Sequence, residues 1–228
     1  MLEVYGVPFS AHTRKVVIAA REKGLDFELV PLVPLMPNLP GWFLEASPLK
    51  KIPVLKHDGR AITDSTVIAL YLDRVFPERP LYPVEPGRYA KALFIEELVD
   101  GGLAEHVLHG VLLQRVFGPR FMGIEPDEAL VAKSLNEKIP PRLRDLERRL
   151  EGAWFAETFS YADITVASIL MNLAYAGEPL RAAEYPKLHA FLRRALTRET
   201  FVRALEVEVP AAREIKGLDL RLVEELGY

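Results

Sequence analysis

In the stretch Ser47 to Ser65, SPLKKIPVLKHDGRAITDS, a proline stands inside an apolar run and an acid–serine pair stands at a helix start. Ile52-Pro53-Val54-Leu55 reads as a strand, although proline removes a ladder donor and usually confines itself to an edge, a strand start or a bend. A cis bond before Pro53 reconciles the two, and it would turn backbone N–H and C=O groups outward beside a site. The turn His57-Asp58-Gly59-Arg60 and the short strand Ala61-Ile62-Thr63 bring the chain back to Asp64-Ser65. A helix opening there offers free N–H groups to an anion. The hairpin sets both features side by side. Together they can hold a small molecule that has a peptide backbone and a carboxylate.

Ser10 sits just before the first predicted helix, whose N-terminal dipole favours an anion, with Arg14 and Lys15 in the first turn. By spacing alone Ser10 is an N-cap, Asp64 and Ser65 are a helix cap, and Lys51 is an exposed strand-edge lysine. Their convergence on one concave place is what argues for a site. His106 and His109 lie three apart on a predicted helix and share a face. A metal would need further ligands, and none stands out, so no metal is expected. Arg142, Arg144, Arg148 and Arg149 interleave with Asp145, Glu147 and Glu151, which reads as a solvated or dimer-facing helix.

The elements that position these residues follow from the pattern. Leu2 to Val7 reads as a strand, Thr13 to Lys23 as a helix stopped by Gly24, and Phe27 to Leu32 as a second strand, parallel to the first. Prolines at 31, 34, 37 and 40 have the period of a polyproline II segment and imply a stiff surface loop. Gly41 to Ala46 forms a short helix, and Thr66 to Phe76 a longer one. A second proline run at 77–86 marks a linker between a first domain, 1–80, and a second, 87–228. Past it no strand is visible. Arg88 to Val116, Pro126 to Leu150, Tyr161 to Tyr175 and Pro186 to Leu205 all read as helices, with a short last one over Leu218 to Leu226. Ser160-Tyr161-Ala162-Asp163 has the form of a capping box, with Phe159 and Ile164 placed for a staple.

With 228 residues, half of them apolar, the chain can bury a sizeable core. A net charge of −3 gives no reason to expect nucleic acid or an anionic membrane as partner. There is no cysteine, which excludes disulfides, thiolate metal sites and thiol exchange through the protein's own sulfur. The N-terminus lacks the pattern of a signal peptide, and Val166 to Ala176 is too short to span a bilayer. A soluble cytoplasmic protein is expected.

Three motifs, in this order and spacing, resemble the cytosolic glutathione transferases, serine-type, along essentially the whole chain. Tyr5-Gly6-Val7-Pro8-Phe9-Ser10-Ala11-His12-Thr13-Arg14-Lys15-Val16 is like their first strand, catalytic loop and first helix. Pro48-Leu49-Lys50-Lys51-Ile52-Pro53-Val54-Leu55 with Asp64-Ser65 is similar to the plant tau-class pattern and its bacterial relatives. Phe159-Ser160-Tyr161-Ala162-Asp163-Ile164 resembles the capping motif of the family's sixth helix. The resemblance implies a thioredoxin-like α+β first domain followed by an all-helical second domain.

It also implies roles. Ser10 would hydrogen-bond the sulfur of glutathione, the co-substrate. Pro53 would be cis, Ile52 would pair through its backbone with the cysteinyl part, and Lys51 would meet the glycyl carboxylate. Asp64 and Ser65 would hold the γ-glutamyl end, with aspartate standing where serine-type classes usually carry glutamate. Tyr5 is a rival to Ser10, since other classes use a tyrosine at the end of this strand. A pocket for a hydrophobic electrophile is expected between Phe9, Ala11, His12, Leu35 and Met36, with Arg115, Phe117 and Phe121 as further walls. The implied activity is conjugation of an electrophile, a detoxifying reaction, by a homodimer. A glutathione-dependent isomerase, dehalogenase or peroxidase, or a non-catalytic binding module, are the competing readings.

Overall fold

In the computed structural model, which describes residues 1–228, β1 (Leu2–Gly6) is the strand around which the sheet is built. Its alternate side chains Leu2 and Val4 are buried. It pairs in parallel with β2 (Phe27–Pro31), Val4 opposite Leu29, and antiparallel with β3 (Val54–His57), Val4 opposite Leu55. β3 turns back into β4 (Arg60–Thr63), giving the order β2-β1-β3-β4. One expectation is corrected: Pro53 does not lie inside a strand. The bond Ile52–Pro53 is cis, and pairing begins only at Val54.

Between β1 and β2 runs α1 (Ala11–Glu22), and after β4 comes α3 (Ser65–Val75); the two pack against each other. Gly6 lets α1 come close to β1, because a Cβ there would stand 2.4 Å from Thr13 Oγ1. Gly24, at φ +70°, is left-handed just past the helix end, where glycine costs least. α2 (Gly41–Ala46) packs Phe43 against Leu32 and Val54, with Tyr5 and Trp42 alongside. The remaining first-domain core, including Val4, Leu55, Ile68 and Leu72, is continuous with that of the helical part.

From Pro86 onward the chain is helical. α4 (Pro86–Leu98) widens into π-type turns over Val99–Leu103 and Glu105–Met122, so the helical path runs past Pro119 and beyond the Val116 expected from the pattern. α5 (Glu128–Lys133) and α6 (Ile139–Arg149) are joined by a π-type turn, Ser134–Lys138. The stretch expected as one helix over Pro186 to Leu205 is two, α8 (Pro186–Leu196) and α9 (Glu199–Arg213). Arg198, between them, has extended backbone and forks onto Glu22 of α1 at 3.0 and 2.9 Å. That tertiary pair competes with helix continuation. α9 then contains Pro210, and α10 is only Arg221–Glu224.

Every residue of α7 (Tyr161–Tyr175) is buried, and the other helices surround it. Its start is the capping box the sequence suggests. The Asp163 carboxylate accepts from Ser160 N, Ser160 Oγ and Phe155 N, each at 2.9 Å. Phe159, placed for a staple with Ile164, packs edge-on to Trp154, with the Arg198 guanidinium 3.8 Å from its ring centre. Asp163→Ala would leave three buried donors unmatched. A loss of about 2–4 kcal/mol is expected, read as a lower urea midpoint with an unchanged m-value.

Candidate active site

Ser10 is the N-cap of α1: its backbone is extended and its Oγ accepts from Thr13 N at 3.4 Å. The hydroxyl proton remains free for another acceptor. Asp64 caps α3 in the same way, its Oδ1 accepting from Thr66 N at 2.9 Å and Val67 N at 3.1 Å. Both bonds use one oxygen, which leaves Oδ2 without a protein donor. Asp64 holds φ +72°, a left-handed conformation uncommon outside glycine. The two helix starts meet. His12 Nδ1, in the first turn of α1, lies 3.5 Å from Ser65 Oγ and 3.7 Å from Asp100 Oδ1. Burial pushes the His12 imidazole below its ordinary pKa, and Asp100 opposes that.

Lys51 is exposed, and its backbone is clasped at both ends by one buried hydroxyl. Ser47 Oγ accepts from Lys51 N at 3.0 Å and donates to Lys51 O at 2.9 Å. This fixes the entry to the cis Ile52–Pro53 bond. Ser47 was not singled out in the sequence, although a serine four residues before a lysine can bridge such a turn.

Arg14 and Lys15 do not stand free beside an anion, as their place in the first helical turn suggested. Both are 1% exposed and paired away from Ser10. Arg14 grips Glu208 of α9 through Nε at 2.7 Å and Nη2 at 2.6 Å, and donates to Ser168 O and Asn172 Oδ1 of α7 at 2.8 and 3.0 Å. Tyr175 adds a bond to Glu208 at 2.6 Å. Burial alone would lower the Arg14 pKa, but Glu208 more than offsets it, so the guanidinium is held charged. Arg14 and Asn172 also donate to the Phe9 carbonyl, at 3.4 and 3.3 Å. The loop carrying Ser10 is thus held by the helical domain. Lys15 meets Glu96 and Asp100 of the long helix and Thr66 of α3, the last two at 3.0 Å. Its ammonium is likewise held charged, burial being outweighed by the two carboxylates.

Tyr5 points elsewhere. Its ring packs edge-on against Trp42 at 4.6 Å and its hydroxyl donates to Glu3 at 3.1 Å. Burial and then Glu3 raise its pKa, and its hydroxyl proton is committed to Glu3 rather than free for a thiolate.

The proposed electrophile walls divide. Phe9 packs on Phe117 at 5.9 Å, and Phe117 on Phe121 at 6.2 Å, so these three form one aromatic run beside Ser10. Arg115 instead binds Glu178 at 2.8 Å and the Ala176 carbonyl at 3.1 Å. Ala11 is buried, His12 faces Ser65 and Asp100, and Leu35 and Met36 are exposed on the proline-rich loop. A cavity of about 510 Å3 lies on the α9 side of α1, along Val17, Arg21 and Arg203, and includes none of Ser10, Lys51 or Ser65.

Comparison with known proteins agrees with this arrangement. Residues 4–80 match the family model "Glutathione S-transferase, N-terminal domain" and residues 132–194 "Glutathione S-transferase, C-terminal domain". Glutathione S-transferase U24 of Arabidopsis thaliana is 31% identical over 175 residues, 74% of this chain and 73% of that protein. A crystal structure of a glutathione S-transferase from Methylobacillus flagellatus with GSH bound is 31% identical, with a TM-score of 0.76 over 90% of this chain and 98% of that one. The chain belongs to the glutathione S-transferase family. Some matches are short: that to mouse glutathione S-transferase omega-1, 31% identical over 91 residues, spans 40% of this chain and 37% of the relative. Other relatives matched over such stretches are also covered to about two fifths of their length.

Proposed function

We propose that the protein is a glutathione transferase in which Ser10 stabilises the thiolate of glutathione for attack on a hydrophobic electrophile. The observation that carries this is the meeting of two helix starts: the cap of α1, bearing Ser10, beside the cap of α3, bearing Asp64 and Ser65, with His12 and Ser65 3.5 Å apart. One start suits the sulfur and the other the γ-glutamyl group. The Ser65 hydroxyl and Ser65 N–H would receive the γ-glutamyl carboxylate, since Thr66 N and Val67 N are taken by Asp64 Oδ1, and the unbonded Oδ2 of Asp64 its ammonium. The backbone of Ile52 would pair with the cysteinyl unit and Lys51 would meet the glycyl carboxylate. The thiol proton leaves to solvent, and the Phe9–Phe117–Phe121 run offers an apolar wall for the electrophile.

Retention on immobilised glutathione, followed by conjugation of a general aryl halide, tests this. No retention overturns it. Retention without conjugation favours an isomerase, dehalogenase or peroxidase on the same site. Asp64→Ala is expected to raise the KM for glutathione several-fold and to cost about 1 kcal/mol through the lost cap. Steady-state kinetics at saturating electrophile would read the first effect.

The proposal includes a homodimer and a domain boundary within 77–86. Val67 and Leu70 on α3 and Phe94 on α4 are large apolar side chains left exposed in the single chain, which supports a covered face there. Sedimentation at micromolar concentration is the check, and a monomer would contradict it. No helix is long and apolar enough to cross a membrane, and a cytoplasmic setting is part of the same proposal.

A further inference from the structure

The helical domain holds a second polar cavity, of about 190 Å3, between the π-type stretch Glu105–Met122 and the turn joining α5 to α6. His106 and His109 line one side, Lys133 and Lys138 the other, and Ser134 the floor, with Glu105 as the one carboxylate. Ser134 is fully buried, yet its Oγ has no hydrogen-bond partner. Gly110 makes room for that hydroxyl: a Cβ there would stand 2.2 Å from Ser134 Oγ. Neither lysine and neither histidine has a carboxylate within 4.0 Å. Arg142 lies alongside, donating to the Lys138 carbonyl at 2.7 Å. A buried hydroxyl left unpaired is costly, whereas Lys133 is exposed and Lys138 half-buried and both are solvated; an acceptor-rich anion in the cavity would satisfy the first and draw on the charge of the other two.

A cation does not fit. No group of three or more His, Cys, Asp or Glu could hold a metal ion, and the lysines would repel one. The space corresponds to roughly six waters of liquid, enough for a tetrahedral oxyanion with some solvent. Burial lowers the His106 pKa, and Arg142, Lys138 and Lys133 add to that against Glu105, which marks a locally positive environment. The geometry points to a binding site for a phosphoryl or sulfuryl oxyanion, with Lys133, Lys138 and the Ser134 hydroxyl as donors and His106 and His109 closing the rim. It lies apart from Ser10, Lys51 and Ser65, and does not depend on the glutathione reading.

The test uses the full chain in low-salt buffer, titrated with sulfate, whose charge is constant across neutral pH. Histidine Cε1–H resonances and calorimetry are the readouts. Expected are saturable shifts of His106 and His109, and tighter binding as pH falls and the His106 imidazole becomes cationic. The surface double variant Lys133→Gln/Lys138→Gln should bind at least about tenfold more weakly, and Ser134→Ala a few-fold more weakly. Shifts that never saturate, or an affinity unchanged in the double variant, would overturn the site. Inorganic phosphate set against glycerol 3-phosphate separates the sources. Equal affinity identifies a free oxyanion, and tighter binding of the ester identifies a phosphorylated small molecule.

Discussion

Glu208→Ala should be among the most destabilising single changes in the protein, at about 3–5 kcal/mol. The reason is not the lost attraction alone. Arg14 would remain buried and charged, with its forked partner gone and only Ser168 O, Asn172 and Phe9 O to meet it. Tyr175 would lose its acceptor as well. For a chain of this size the expected fall in Tm is on the order of 10 °C. Replacing both partners at once, Arg14→Met with Glu208→Leu, should recover most of the stability, because no unpaired charge is left. Urea unfolding of the single and double variants measures both. A Glu208→Ala protein as stable as the parent would mean that the pair is not what holds these helices. Conjugation activity should still fall in the rescued double variant, since the Phe9 carbonyl loses one of its two donors and the Ser10 loop is less well held.

Ser10→Ala should barely touch stability, costing about 1 kcal/mol through the cap, and should weigh heavily on chemistry. A free thiol with a pKa near ~8.5 is only a few per cent ionised at neutral pH. A hydroxyl donating to the thiolate contributes on the order of 1.5–3 kcal/mol, or about one to two pKa units. In the variant the pKa of bound glutathione, followed by thiolate absorbance, should rise by that amount, and kcat/KM at neutral pH should fall roughly 10- to 30-fold. Ser10→Thr keeps the hydroxyl and should retain part of the activity. Since ionisation is what is lost, raising the pH should narrow the gap between variant and parent. An unchanged thiol pKa in Ser10→Ala would remove the serine from the mechanism. The protein would then rely on the α1 N-terminus alone, as Tyr5 is turned towards Glu3 and Trp42.

Local signals were legible in the sequence. The bounds of α2 and α7 match the patterned stretches, because a proline before Gly41 and the Ser160–Asp163 box are written within a few residues of the ends they set. A hairpin leading to the cap at Asp64 was readable for the same reason, although its strands, Val54–His57 and Arg60–Thr63, take in His57 and Arg60, which read as turn. What escaped depends on residues far apart in the chain. Arg14 and Lys15 looked like charges beside an anion because their partners lie 194 and 85 residues away. Arg198, at the break between α8 and α9, is bonded to Glu22 on a helix of the other domain, a contact that no window around Arg198 could reveal. Arg115 looked like a pocket wall until the segment after α7 supplied Glu178. Ser47 is a local signal, but a lone serine is common and becomes meaningful only when its hydroxyl is seen to bond both ends of Lys51.

Glu22 adds a third ion pair to those of Arg14 and Lys15, and all three run from the single helix α1 into the helical domain. Although α1 is encoded in the first domain, mechanically it is shared by both. A hinge at the proline-rich segment 77–86 would have to break two buried pairs near the start of α1 and a part-exposed one at its end together, which opposes opening and closing of the domains about it. Access for an electrophile and release of the conjugate must then come from movements of short segments, the exposed proline-rich loop around Leu35 and Met36 or the end of the long helix near Phe121. Turnover limited by product release would in that case respond to changes in those loops and be indifferent to the length of the linker.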